Sequence, residues 1–147
     1  MASRDDAGNG CTVNAATGVM RVAAAVVWDG ARVLFTRRPP GDPLALQWEF
    51  PGGKIQPGET PEQAVTREIL EELGVLATPL ERLGETRHHY AHGLDVELVF
   101  IHCTLASREF RPSAAVHEIR WAEPGAIDER ELLEADREFV RTLARRG

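Results

Sequence analysis

Glu59, Arg67, Glu68, Glu71 and Glu72 crowd around one short predicted helix, an arrangement from which an ordinary surface helix gains nothing. Thr60-Pro61-Glu62-Gln63 reads as the helix start: Thr60 caps it, Pro61 suits the first turn, and Gln63 reaches back as in a capping box. Gly74 supplies the left-handed stop. At about 100° per residue, Val65, Ile69 and Leu73 form an apolar stripe. Glu68 and Glu72 lie together along its edge, with Glu71 beside Glu68. Each like-charge pair costs an isolated helix roughly 0.2–0.5 kcal/mol, and the helix dipole disfavours anions in the last turn, where Glu71 and Glu72 stand. Something positive must offset the cluster. A hard divalent cation with oxygen ligands is the natural candidate.

The segment fits the pattern G-x5-E-x7-R-E-U-x-E-E-x-G-U, with U aliphatic, at Gly53, Glu59, Arg67, Glu68, Ile69, Glu71, Glu72, Gly74 and Val75. On these residues the chain resembles the Nudix hydrolases. The preceding run Trp48-Glu49-Phe50-Pro51-Gly52-Gly53-Lys54 resembles the MutT-type branch, the nucleoside triphosphate pyrophosphohydrolases, and a looser likeness runs from about residue 20 to the C-terminus. The resemblance implies an α/β/α sandwich of the α+β class, with a mixed β-sheet and the box as a loop–helix–loop. It also implies Mg²⁺ as cofactor, Mn²⁺ as a substitute, and a small nucleotide as substrate.

Carried over residue by residue, the family pattern makes Glu68 and Glu72 the principal metal ligands, Glu71 a further ligand at a second ion, and the Gly52 carbonyl the completion of the inner sphere. Glu68 doubles as general base, the role that varies most between subfamilies. Arg67 belongs with Glu68 and Glu71 in the catalytic group, orienting Glu59 and the helix acids by ion pairing; Glu59 and Gly53 support the site structurally. Glu118, in His117-Glu118-Ile119-Arg120-Trp121, lies where MutT-type enzymes carry a loop glutamate that reaches back to the metal. Phosphoanhydride hydrolysis needs an attacking water, neutralised phosphate charge and the positioning of both. Carboxylate-held Mg²⁺ keeps several waters, bridges to substrate oxygens and acidifies a bound water, and a free carboxylate takes the proton.

The 147 residues suit one domain, with a tail expected over 1–19 and the folded domain over 20–147. The apolar share of 43% and the charged share of 27% are ordinary for a globular protein. A net charge of −6, without a run of Lys or Arg, argues against a nucleic acid polymer as partner. No stretch has transmembrane length or a secretory pattern, so no membrane partner is expected. Cys11 and Cys103 read as free thiols in a reducing cytoplasm. His88, His89, His92, His102 and His117 lack the Cys/His spacing of a zinc site. A monomer or homodimer is expected.

The apolar run over 22–28 predicts a buried strand, and Asp29-Gly30 predicts a hairpin to a partner over 31–36. Prolines and a glycine make 37–47 a loop, followed by a short strand over 48–50 and the glycine turn. After the helix come a connector or short strand over 75–80, an antiparallel pair over 82–90 and 94–105, and a short strand over 118–121. A turn near 128–134 precedes a final amphipathic helix over 136–145.

In MutT-type enzymes the base lies between the sheet and the last helix. By that likeness Phe50 packs against the base and Arg38 faces the nucleotide, and Arg37 and Arg38, two arginines bordering the acidic site, suit phosphate capture. Asp136 stands where the bacterial 8-oxo-dGTP enzymes place an asparagine. Asparagine donates and accepts, whereas ionised aspartate only accepts, which suits cytosine's amine or a base edge with an amino group and a ring N–H. A base-facing arginine is absent, with Leu94 near its place. The leading expectation is an Mg²⁺-dependent hydrolase that cleaves a (d)NTP, an oxidised one such as 8-oxo-dGTP first, to the monophosphate and pyrophosphate. The alternatives are a CTP or modified-pyrimidine pyrophosphohydrolase, a nucleoside-diphosphate-sugar hydrolase, and a non-catalytic nucleotide-binding module.

Overall fold

Alternation along the strands sorts the core into two layers. The computed structural model describes residues 13–14 and 18–146. Most of the tail expected over 1–19, Cys11 included, lies outside the described residues. Strand β1 (Val13–Asn14) pairs antiparallel with the start of β2 (Val19–Val26). Then follow β3 (Trp28–Asp29), β4 (Arg32–Arg37), β5 (Trp48–Glu49), β6 (Gly52–Lys54), helix α1 (Pro61–Leu73), β7 (Ala77–His89), β8 (Asp95–Leu105) and β9 (Glu118–Ala122). Three short helical turns, the last at Glu134–Asp136, lead into α2 (Arg137–Arg146).

A mixed sheet has β2 parallel to β8, with β1 and β6 antiparallel to β2 and β7 antiparallel to β8. A second, antiparallel sheet has β3, β5 and β9 around β4. Ala23, Ala25, Val27, Val99, Ile101 and Cys103 pack with Val65, Ile69 and Leu73 of α1. Their neighbours Ala24, Val26, Val96, Leu98 and Phe100 pack with Phe139, Val140 and Leu143 of α2. The expected helix–sheet–helix sandwich results. Burial of each of these valine, leucine, isoleucine and phenylalanine side chains contributes about 1.5–3 kcal/mol. Burial also pushes the Cys103 thiol up to about 12, so it remains a neutral core group.

Four readings of the sequence are corrected. The strand expected over 22–28 does not pair along its length with the one over 31–36: β2 joins β6 and β8, and only Trp28 and Asp29, as β3, pair with β4. The connector over 75–80 and the strand over 82–90 form one strand, β7, whose pairing with β8 shifts between Pro79 and Arg82 and again before Gly84. Proline cannot donate to the ladder, and the irregularity absorbs it. Gly52–Lys54, read as a turn, pairs with β2 as β6. The last helix begins at Arg137, because Asp136 belongs to the preceding turn. No described helix is long and apolar enough to cross a membrane.

Candidate active site

Helix α1 is built as its sequence dictates. Thr60 Oγ1 accepts from Gln63 N at 3.1 Å, Gln63 Oε1 accepts from Thr60 N at 2.9 Å, and Gly74 closes the helix at φ 70°. The apolar stripe is fully buried, which carries Glu68 and Glu72 inward at 4% and 6% exposure. Glu71 points outward, with its side chain 57% exposed. Two loop amides relieve the negative end of the helix: Arg111 N donates to Leu73 O at 2.8 Å and Ser113 N to Glu72 O at 2.9 Å.

Arg67 organises the acids. Its Nε and Nη2 grip Glu59 at 2.7 and 2.9 Å, Nη1 reaches Glu68 at 2.9 Å and Glu71 at 3.4 Å, and Nη2 also donates to Lys54 O at 3.0 Å. That fork, reinforced by Gln56 N at 2.8 Å, holds the Glu59 carboxyl below its ordinary range. The stability this supplies is present above the unfolded carboxyl pKa and is lost as pH falls through the folded one. Arg67→Ala removes the guanidinium from Glu59 and from the buried Glu68 together. Urea denaturation is expected to show about 1–3 kcal/mol of lost stability; an unchanged midpoint would deny Arg67 its organising role.

Gly53, in β6, lies directly beneath the Glu68 carboxylate. A Cβ there would stand 2.3 Å from Glu68 Cδ and 2.5–2.6 Å from its oxygens. At Gly52, with φ +152°, a Cβ would lie 2.1 Å from Ala23 O. The adjoining glycines therefore do different things: Gly52 lets two strands meet, and Gly53 makes room for a functional carboxylate. The donor set along this edge is all oxygen, which suits a hard cation. Among the described residues no three or more His, Cys, Asp or Glu side chains form a ready-made metal cage. Mg²⁺ does not need one, since it is ordinarily held by one or two carboxylates with waters and substrate phosphates.

The other expected site residues fall elsewhere or are already bonded. Glu118 opens β9 with its carboxylate on Arg37 at 3.0 Å, so the loop glutamate expected to reach the metal is an ion-pair partner of β4 here. Arg37 also donates to Leu46 O at 3.0 Å, and its guanidinium lies 5.4 Å from the Trp48 ring centre. Arg38 bonds Asp42 through Nε and Nη2 at 3.0 and 2.9 Å, and Glu49 through Nη1 at 3.0 Å. The Phe50 ring, expected to meet the base, is 3% exposed among Phe35, Phe100 and Phe139. Its backbone carries the contact that matters: Phe50 N donates to Asp136 Oδ2 at 3.2 Å.

Asp136 corrects one expectation in substance. Burial, and after it the Glu49 charge, push its carboxyl up to about 8, outweighing the Phe50 N–H and Arg38. At neutral pH it is mainly the neutral acid, which donates as well as accepts. Because the folded pKa exceeds the unfolded value of about 4, this group favours the fold most below pH ~4. That contribution is lost as pH rises toward about 8. Sequence reasoning missed Glu49, whose place inside the Trp48–Lys54 run was visible, and Tyr90, whose hydroxyl bonds the Ala135 backbone.

A family model for the NUDIX domain matches residues 19–143. The chain belongs to this family. It is a Nudix hydrolase acting on phosphoanhydrides. The CTP pyrophosphohydrolase of Escherichia coli (strain K12) is 30% identical over 121 residues, 80% of this chain and 86% of that protein. The 8-oxo-dGTP diphosphatase of Haemophilus influenzae is 42% identical over 73 residues, 49% of this chain and 54% of that protein. The crystal structure of a MutT Nudix hydrolase from Burkholderia pseudomallei superposes with a TM-score of 0.73 at 26% identity, covering 84% of this chain and 96% of that one. The Nudix fold expected from the box, an α+β sandwich with a mixed sheet, is thereby borne out.

Proposed function

We propose that this Nudix hydrolase cleaves a nucleoside triphosphate, free rather than polymeric, to the monophosphate and pyrophosphate with the help of Mg²⁺. The observation that carries the reading is the pair of buried carboxylates, Glu68 and Glu72, on one helix edge against the notch at Gly53. These two residues would hold the ion, with the Gly52 carbonyl and the outward Glu71 as further oxygens. Mg²⁺ would supply charge neutralisation on the phosphates and a more acidic water. Glu68, fixed by Arg67, would accept a proton from the attacking water. Glu118 would offer the ion a further carboxylate oxygen, and Arg37, its partner here, would offer a guanidinium to phosphate. Arg38 stays with Glu49 and Asp42, and its charge and that of Glu49 bear on Asp136.

The base lies between the mixed sheet and the turn before α2, against Asp136. Oxidised guanine nucleotides such as 8-oxo-dGTP are the first reading. CTP or a modified pyrimidine is the second, favoured by the acid form of Asp136. A neutral carboxyl donates one hydrogen bond and accepts one, which matches cytosine's ring nitrogen and amine as well as guanine's carbonyl and ring N–H. Ionised Asp136 matches only adjacent donors, as on guanine. The ratio of kcat/KM for CTP to that for 8-oxo-dGTP is therefore expected to fall as pH rises through about 8, and Asp136→Asn to flatten that dependence. A ratio constant with pH in wild type removes Asp136 from base reading.

Product analysis over a panel of nucleotides with Mg²⁺ tests the whole reading. Pyrophosphate and a monophosphate are expected. Turnover restricted to nucleoside-diphosphate sugars contradicts it, as does saturable nucleotide binding without cleavage.

A further inference from the structure

Gly84, Thr86 and His88 of β7 share one side of the mixed sheet, because they pair in unbroken register with Phe100, Leu98 and Val96 of the α2-facing core. What lies opposite fixes the outer two. A Cβ at Gly84 would be 3.3 Å from the Phe139 ring of α2, and His88 Nε2 lies 3.0 Å from Glu134 Oε2 in the turn before it. Tyr90, farther along, bonds the Ala135 backbone. Thr86 therefore faces the stretch between Glu134 and Phe139, and Asp136 stands in that stretch.

Among the described residues, the Thr86 hydroxyl is the one buried side-chain nitrogen or oxygen without a hydrogen-bond partner. Its strand neighbour across the ladder is Leu98, which with Val96 and Phe100 belongs to the apolar core on this side of the sheet. Threonine can satisfy a backbone carbonyl within a helix, but a strand offers no such escape once the ladder is formed. Valine would fill the same volume, suit the strand equally well and bury no unpaired group. An unpaired hydroxyl in this seam calls for an explanation.

We infer that Thr86 is a specificity-determining residue whose hydroxyl contacts the nucleobase of the substrate, across the seam from Asp136. The inference rests on the proposed seating of the base between the mixed sheet and the turn before α2. A hydroxyl both donates and accepts, so it can meet a carbonyl, a ring nitrogen or an amine. With the Asp136 carboxyl on the opposite wall, the base is gripped by polar groups from two layers of the fold, beside the apolar core of Leu98, Phe100 and Phe139. Few polar groups in an apolar setting are the usual make-up of a small-molecule site.

Thr86→Val separates this role from a structural one. Steady-state kinetics would use the wild type's best nucleoside triphosphate and a base-free substrate, 2-deoxyribose 5-triphosphate, with thermal denaturation run on nucleotide-free protein. For the base-bearing substrate kcat/KM is expected to fall by roughly tenfold or more, chiefly through KM. The base-free substrate should be unaffected, and Tm should stay level or rise, because a methyl replaces an unpaired hydroxyl. Thr86→Ser should recover most of the lost kcat/KM. Unchanged kinetics on every base overturns the inference, as does an equal loss on the base-free substrate. A lower Tm with wild-type kinetics also overturns it, since the hydroxyl would then serve the fold. Wild-type protein that cleaves no triphosphate overturns the functional reading itself, and this is seen before any variant is compared.

Discussion

Glu68→Gln is expected to lower kcat by roughly 10²–10⁴-fold while the folded state survives. The substitution keeps the shape of the side chain and one oxygen able to accept from Arg67 Nη1, which lies 2.9 Å from Glu68 Oε2. It removes a charge from an edge where Glu68 and Glu72 are both nearly inaccessible to water. Folding therefore has little to lose: repulsion along α1 is relieved, and the stripe of Val65, Ile69 and Leu73 is untouched. Catalysis loses both a cation ligand and the proton acceptor. Glu72→Gln should behave similarly in kcat, because a ligand is lost even though the acceptor remains. Near-normal turnover in either variant, with circular dichroism confirming the fold, would show that the chemistry lies elsewhere.

The two neighbouring glycines are expected to fail in opposite ways when each is replaced by alanine. At Gly53 the new methyl meets the far end of the Glu68 side chain, 2.3 Å from its Cδ, and a flexible side chain can move aside. Stability should change little, but the displaced carboxylate should lower kcat by about 10²-fold or more. At Gly52 the methyl meets backbone, 2.1 Å from Ala23 O and 3.0 Å from Ala24 Cα, and the β2–β6 pairing must break to admit it. That substitution should cost about 3 kcal/mol or more of stability, seen as a large drop in the denaturation midpoint. Should Gly53→Ala keep full activity, the close fit of Glu68 over that residue would have no catalytic meaning.

Legibility in the sequence followed the range of the interactions. The capping box at Thr60–Gln63, the stop at Gly74 and the buried stripe of α1 are local, and each stood where the spacing put it. The turn at Asp29-Gly30 was equally plain, although the run over 22–26 before it pairs with β6 and β8 and not with β4. Pairing between distant segments was not. Gly52–Lys54 has no strand propensity of its own and becomes β6 only because β2 lies alongside. Pro79 disguised the first part of β7, which the bulges then accommodate. At the site, the identities of Glu68 and Glu72 were readable from the box, and their burial followed from the stripe. The state of Asp136 was not readable, since its proton depends on burial and on Glu49, neither of which is adjacent to it in the chain. Thr86 carried no signal at all: one threonine among strand residues acquires meaning only when its hydroxyl proves buried and without a hydrogen-bond partner.

Isothermal titration of Mg²⁺ into protein saturated with a non-hydrolysable nucleoside triphosphate analogue bears most directly on the role of the acidic helix edge. The expected result is saturable uptake by the native chain, weakened at least ~10-fold in the Glu68→Gln, Glu72→Gln double variant. Superimposable isotherms for the two proteins would mean that these carboxylates do not hold the ion.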